Sequence, residues 1–418
     1  MSQIEQRYRQ RTPRSGRLAD AASAVMPGGD TRAAAHYEPH GVTLERGEGP
    51  FVWDADGHRH LDLSVNYTSL VHGHACPPVV EAIREWAGRG TAWSARCEPQ
   101  IALAELLVER VASVDTVRFT NSGTEAAMLA IHIARLLTGP RKILMARHGY
   151  HGSMEETEIG LLGVEGPSTV LADHGDAAAF ERVLEEHGGD IACALLEPVM
   201  GAGGIVPSPP GFLARVATAA RRAGSLFILD EVICFRLATG GAQSLHDVTP
   251  DLTMFGRLIG GGLPVGAVGG HADVMAVSDP RAGRMFVSGT FNGNPLTTAA
   301  GTVAVRELTG ERIAVMHQLM DRLRLGLEAS ARRHGLPFAV HHAGSLLNVF
   351  FSPQAPRATI VREDAATMRL SHLACLNHGV FIAPRGMMAL STVVTDALVT
   401  EIVERADAAM ADVAREAA

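Results

Sequence analysis

Short apolar runs alternate with longer segments of helical period through the middle of the chain. Residues 117–120, 142–145, 191–196 and 226–229 are brief, nearly continuous apolar stretches. Such runs suit strands buried on both faces. Between them, residues 126–137 and 211–223 carry apolar positions at the three-to-four spacing of a helix. The alternation predicts an α/β domain built on a mostly parallel sheet. Ligands of such sheets collect at the carboxyl ends of the strands. The turn 121–125, Glu197 and Asp230 all fall at such ends.

The flanks read differently. Residues 1–25 begin polar and then take helical spacing, predicting a helix laid on a neighbour or a partner subunit. PGGDTR at 27–32 is a glycine turn that places Arg32 after it. Strands are expected at 42–45, 51–53 and 58–63, with Asp54-Ala55-Asp56-Gly57 as a hairpin turn. Helices are expected at 79–87, 99–111, 296–308 and 311–334. A strand at 345–351 and an amphipathic helix at 395–416 complete a second, smaller α/β domain. The expected divisions are an N-terminal segment and hairpin (1–54), a large domain (55–310) and a C-terminal domain (311–418).

Composition narrows the function classes. An apolar content of 46 % across 418 residues supplies a large core. A net charge of −8 with no dominant basic cluster excludes a nucleic-acid surface. No apolar run approaches the roughly 20 residues of a membrane span. MSQIEQRYRQRTPRSGR lacks an apolar core, so no secretory signal is expected there. Five cysteines lie scattered without zinc or CxxC spacing, which predicts buried free thiols in a cytoplasmic protein. Lysine is nearly absent; Lys142 is the single one. With Arg and Ala abundant, that scarcity suggests a coding bias before it suggests chemistry.

The chemistry concentrates in SLFILDEVICFRLATGGAQSLHDVTPDLTMFGRLIGGGLPVGA, residues 225–267. Its first strand delivers Asp230 and Glu231; its end is Gly256-Arg257-Leu258 and the run Gly260-Gly261-Gly262. Asn121-Ser122-Gly123-Thr124-Glu125 leads into a helix, and a small-residue turn there is either an anion cup or an ordinary capped turn. Other distinctive pieces are Trp53-Asp54-Ala55-Asp56-Gly57, Gly73-His74, Tyr150-His151-Gly152 and the GTFNGNPL of 289–296. On these residues, over positions 25–410, the chain resembles the class III (fold type I) aminotransferases. Within them it is similar to the glutamate-1-semialdehyde aminomutase branch, near the β-amino-acid and aryl amino-acid aminotransferases.

The resemblance implies a fold type I architecture with a mostly parallel, seven-stranded-type sheet, and pyridoxal 5′-phosphate (PLP) or pyridoxamine 5′-phosphate (PMP) as cofactor. It implies Asp230 on the pyridine nitrogen, Tyr150 over one ring face, Val232 on the other, and Ser122, Gly123 and Thr124 around the phosphate. His151 is either structural or in touch with the ring. Thr290 would reach the phosphate held by the other subunit, which makes the protein a homodimer with shared sites. Arg32 and Arg385 compete to bind the carboxylate of an amino-acid or keto-acid substrate, and Tyr67 lines the mouth of the site.

One departure governs the activity. The family's Schiff-base lysine precedes the glycine run, and that position here is Arg257. A guanidinium stays protonated and is not a nucleophile, so it cannot replace the amine. Lys142, at the start of a strand, is expected to be a solvated edge. Four readings stay open: an aminotransferase or aminomutase, a lysine-independent PMP enzyme of dehydratase type with a base such as His151, a non-catalytic cofactor binder, and an ordinary aminotransferase carrying an engineered Lys→Arg change.

Overall fold

In the computed structural model, which describes residues 1–417, the apolar runs of the middle of the chain become one seven-stranded sheet. Its strand order is Thr116–Thr120, Gly266–Gly270, Leu252–Gly256, Leu226–Asp230, Ile191–Leu196, Lys142–Ala146, Thr169–Ala172. Gly266–Gly270 alone runs antiparallel to both of its neighbours. The other strands therefore point the same way, and their carboxyl ends share one edge. The sheet belongs to a compact unit, Pro77–Ile313.

Two apolar layers cover this sheet. Ile133, Ile143, Leu195, Ile228 and Met254 share one cluster with the helix Gly123–Thr138. Leu144, Phe180, Leu196, Phe227 and Val216 form the other, with the helices Ala177–His187 and Phe212–Arg222. Strands covered on both faces read as unbroken apolar runs, which is why Ile191–Leu196 was visible at its true length.

The second unit joins Met1–Cys76 to the chain from Ala314 onward. It contains a four-stranded sheet (Leu44–Glu48, Phe51–Asp54, Arg59–Asp62, Val380–Phe381) and a three-stranded one (Ala339–Ala343, Leu346–Phe350, Met387–Ala389). The expected start of the hairpin at 42 moves to Leu44. Asp54 is no exposed turn residue: it is buried between His58 and His60, accepting from both rings.

The N-terminus holds two helices where one was expected. Gln3–Arg11 and Pro13–Ser23 are two helices, and the first is held by its own chain. Tyr8 is buried, Ile4 N–H donates to Glu416, and Asn377 donates to the Ile4 carbonyl. Among the described residues, no helix is long and apolar enough to cross a membrane.

Candidate active site

The carboxyl edge of the seven-stranded sheet gathers most of the residues singled out by sequence. Strand Thr116–Thr120 feeds a turn whose Ser122 caps the helix Gly123–Thr138, its Oγ accepting from Glu125 N–H at 3.1 Å. Glu125 turns back to accept the Asn121 N–H at 2.8 Å. The first N–H groups of the helix, at Gly123 and Thr124, have no partner within the helix and aim out of its positive end. Ser153 N–H donates to Thr124 Oγ1 at 3.2 Å, which leaves the Thr124 hydroxyl proton for another acceptor.

The floor of this cup depends on missing side chains. A Cβ at Gly123 would lie 3.4 Å from Val232, and one at Gly256 would lie 3.3 Å from the same side chain. Val232 is thereby placed against both the cup and the end of strand Leu252–Gly256. Gly152, at φ +104°, backs onto Thr124, where a Cβ would come within 2.7 Å of the Thr124 Cα.

Asp230 is the last residue of its strand and is 4 % exposed. Its Oδ2 sits 2.9 Å from His151 Nδ1, and its Oδ1 accepts the Val232 N–H at 2.9 Å. Of the two roles open to His151, the fold brings it to Asp230, 79 residues away in sequence. Its Nε2 is buried, with no hydrogen-bond partner among the described residues. Glu197, buried at the end of the neighbouring strand, accepts from Tyr150 N–H at 3.2 Å and Gly201 N–H at 2.9 Å. Burial pushes its carboxyl up to about 7; His151 pulls it down and Asp230 raises it. That Glu197 fixes the Tyr150 backbone was not legible, because only the fold brings the two together. Tyr150 OH lies 3.1 Å from Ser153 Oγ.

Glu231 takes structural partners. It accepts the Ala242 N–H at 2.9 Å and the Gln243 N–H at 2.7 Å, tying the strand end to the following loop. Burial pushes this carboxyl, too, up to about 7.

Arg257 is half-buried and follows strand Leu252–Gly256 directly, so it stands at the same edge of the sheet as Asp230, with φ +50°. Lys142 lies at the other edge. It opens strand Lys142–Ala146, pairs in register with Ile191, and its Nζ is 3.4 Å from Asp190. The strand itself separates it from the carboxyl edge by roughly 13 Å. Thr290 is exposed, in an irregular segment that also exposes Phe286 and Phe291.

The edge thus presents an anion cup, a buried carboxylate suited to a protonated ring nitrogen and an apolar Val232 between them. These are the groups a pyridoxal-type cofactor requires, and the residues fit it. They do not fit its covalent attachment, since among the described residues no lysine stands at this edge.

Arg32, Tyr67 and Arg385 come together in the other unit. The Tyr67 ring has the Arg32 guanidinium 5.8 Å and the Arg385 guanidinium 6.0 Å from its centroid. Arg32 Nη1 donates to Asn66 Oδ1 at 2.8 Å, and Tyr67 OH donates to the Ala34 carbonyl at 2.7 Å. The two arginines, read as competitors in the sequence, flank one ring.

The class-III aminotransferase family model matches residues 32–161 and 166–410. The chain is 37 % identical over 399 residues to the β-phenylalanine transaminase of Variovorax paradoxus, covering 94 % of this chain and 91 % of that one. It is 37 % identical over 418 residues to a glutamate-1-semialdehyde 2,1-aminomutase of Bacillus anthracis, covering 94 % and 96 %. A transaminase solved with PLP bound superposes with a TM-score of 0.92 at 31 % identity, covering 97 % of this chain and 99 % of the other.

Proposed function

The chain belongs to the class III aminotransferases, a family of PLP-dependent enzymes, and from that premise we propose that it binds PLP or PMP without a covalent link and serves amino-group transfer on a carboxylate-bearing amino acid. The observation that carries this reading is the contrast at one sheet edge: the capped helix start at Ser122, the buried Asp230, and Val232 stand together there, with Arg257 where an amine would be needed. When bound, the cofactor supplies an amino-group carrier and an electron sink.

The chain's own residues divide the remaining work. Ser122, Gly123 and Thr124 hold the phosphate through hydroxyls and N–H groups at the positive end of their helix. Asp230 keeps a proton on the ring nitrogen, with His151 and the Val232 N–H fixing its two oxygens. Tyr150 and Val232 cover the two ring faces. Arg257 offers charge-assisted hydrogen bonds to a phosphate or a carboxylate and does not carry the proton that a lysine amine would. Arg32 and Arg385, beside Tyr67, read the substrate carboxylate.

Thr290 is assigned to the phosphate site of a second subunit, which makes the working form a homodimer. Its exposure, with Phe286 93 % exposed nearby, supports that reading. Five free cysteines, four of them buried, support a cytoplasmic setting.

A lysine-independent PMP enzyme is the second reading, favoured by the same Arg257. His151 is a poor base for it, because Nδ1 is engaged by Asp230 and the ring is 2 % exposed. The test is a single turnover. PMP-loaded protein is mixed with a keto acid, and amino acid formed per site is measured for the unsubstituted chain and for Arg257→Lys. Slow transfer that Arg257→Lys accelerates supports amino-group transfer. Loss of a native activity on Arg257→Lys transfers the case to the lysine-independent enzyme.

A further inference from the structure

Four successive residues without a glycine, Val65, Asn66, Tyr67 and Thr68, have φ of +42°, +49°, +53° and +77°. L residues other than glycine, and above all a β-branched valine, avoid this left-handed region, so the surroundings must hold the turn in place. Its ends are closed by Thr68 N–H to the Ser64 carbonyl at 3.1 Å and Leu70 N–H to the Val65 carbonyl at 3.0 Å. Its entry is held by one buried carboxylate. Asp62 Oδ1 accepts the N–H groups of Ser64 at 2.8 Å and Val65 at 3.0 Å. The other oxygen, Oδ2, lies 2.6 Å from His74 Nε2.

His74 is itself clamped. Its backbone exchanges both hydrogen bonds with Gly49, at 2.9 and 2.8 Å. Its ring occupies the space that a Cβ on Gly47 would need. The turn then presents its residues in two directions. Val65 and Thr68 are each 1 % exposed, while Asn66 reaches Arg32 and Tyr67 lies within reach of both Arg32 and Arg385. A plain reversal of the chain would use glycine at such angles. Keeping four side chains there makes sense when the side chains themselves are used.

We propose that Asp62 and His74 are positioning residues for carboxylate recognition: together they impose the left-handed turn that sets Asn66 and Tyr67 against the arginine pair. The proposal deepens the assignment of Arg32 and Arg385 to the substrate carboxylate and rests on it. Neither Asp62 nor His74 touches the substrate. They act by fixing the angle at which Asn66 meets the Arg32 guanidinium, and with it the direction of the remaining donors of that fork.

The experiment is calorimetric titration of PMP-loaded protein with 3-phenylpropanoate and with its uncharged amide. Asp62→Ala and His74→Ala are expected to weaken the carboxylate about tenfold, the equivalent of roughly 1.4 kcal/mol, and to leave the amide unchanged. His74→Gln, which retains an N–H donor for Asp62, should stay near the unsubstituted protein. Val65→Gly added to Asp62→Ala should recover part of the loss, because glycine accepts the turn without outside help. Should Asp62→Ala fail to fold, Asp62→Asn keeps the shape and one acceptor, and a smaller loss confined to the carboxylate is expected. An unchanged preference for carboxylate over amide in the Asp62 and His74 variants overturns the proposal. Arg32→Ala and Arg385→Ala separate the two levels. If they also leave the preference intact, the recognition assignment fails and the positioning role fails with it. If they abolish it while the Asp62 variants do not, only the positioning role falls.

Discussion

The position of Asp230 at the carboxyl end of an apolar strand could be read from the sequence. Its setting could not. His151 and the Val232 N–H hold one carboxylate oxygen each, and no local pattern announces a contact across 79 residues. Nor does any pattern announce the turn at 65–68, since Val, Tyr and Thr are poor predictors of positive φ. Asp230→Asn keeps an acceptor for the Val232 N–H but removes the charge that stabilises a proton on a ring nitrogen. The variant should melt close to the parent and bind PMP through the same cup. Its single-turnover transfer rate should fall by at least about tenfold, one unit of roughly 1.4 kcal/mol in the barrier. Transfer at the parental rate would remove Asp230 from the chemistry.

Among elements, four of the six parallel strands were legible, while Thr169–Ala172, Leu252–Gly256 and the antiparallel Gly266–Gly270 were not. Gly266–Gly270 reads GAVGG, and glycine is depleted from strands, so composition argued against a strand there. Its neighbours explain the choice. Gly266 pairs with Thr120 on one side and Gly256 on the other, and a Cβ on it would drive into the Ser122 carbonyl oxygen and the Thr120 hydroxyl. The strand must be bare for the cup to form beside it. Gly266→Ala should therefore displace the Ser122 turn, cost about 1–3 kcal/mol as an overpacked site does, and weaken PMP binding as well. Gly189→Ala, where a Cβ meets nothing within 4 Å, is the control and should change neither melting nor affinity. Equal behaviour of the two variants would show that the turn does not rest on strand Gly266–Gly270.

At the scale of the molecule, the two ends of the chain meet in one compact unit through partners that are remote in sequence: Ile4 and Glu416 are 412 residues apart. Burial at this scale also sets a pH response. Glu197 and Glu231 titrate near the usual 4.5 when unfolded and at about 7 in the folded protein, chiefly because they are buried. Between those values the folded state binds more protons than the unfolded state. The contribution of these two groups to stability is thus full below about 4.5, declines as pH rises toward about 7, and is level above it. Glu231→Gln removes one titrating carboxyl, so urea unfolding at pH 5 and pH 8 should differ less for the variant than for the parent. An identical difference would mean that Glu231 is ionised throughout.

The scarcity of lysine is likewise a property of the whole chain, and it permits a direct test of noncovalent cofactor binding. PLP-loaded protein is reduced with borohydride, digested, and searched by mass spectrometry for a pyridoxyl group fixed to the chain. Noncovalent binding at the Arg257 edge predicts that no peptide from the cup or from 225–267 carries the group in the unsubstituted protein, while Arg257→Lys carries it at position 257 in stoichiometric amount. A stoichiometric adduct on the unsubstituted chain that survives Lys142→Arg would contradict it, because some other group at the sheet edge would then be holding the cofactor covalently.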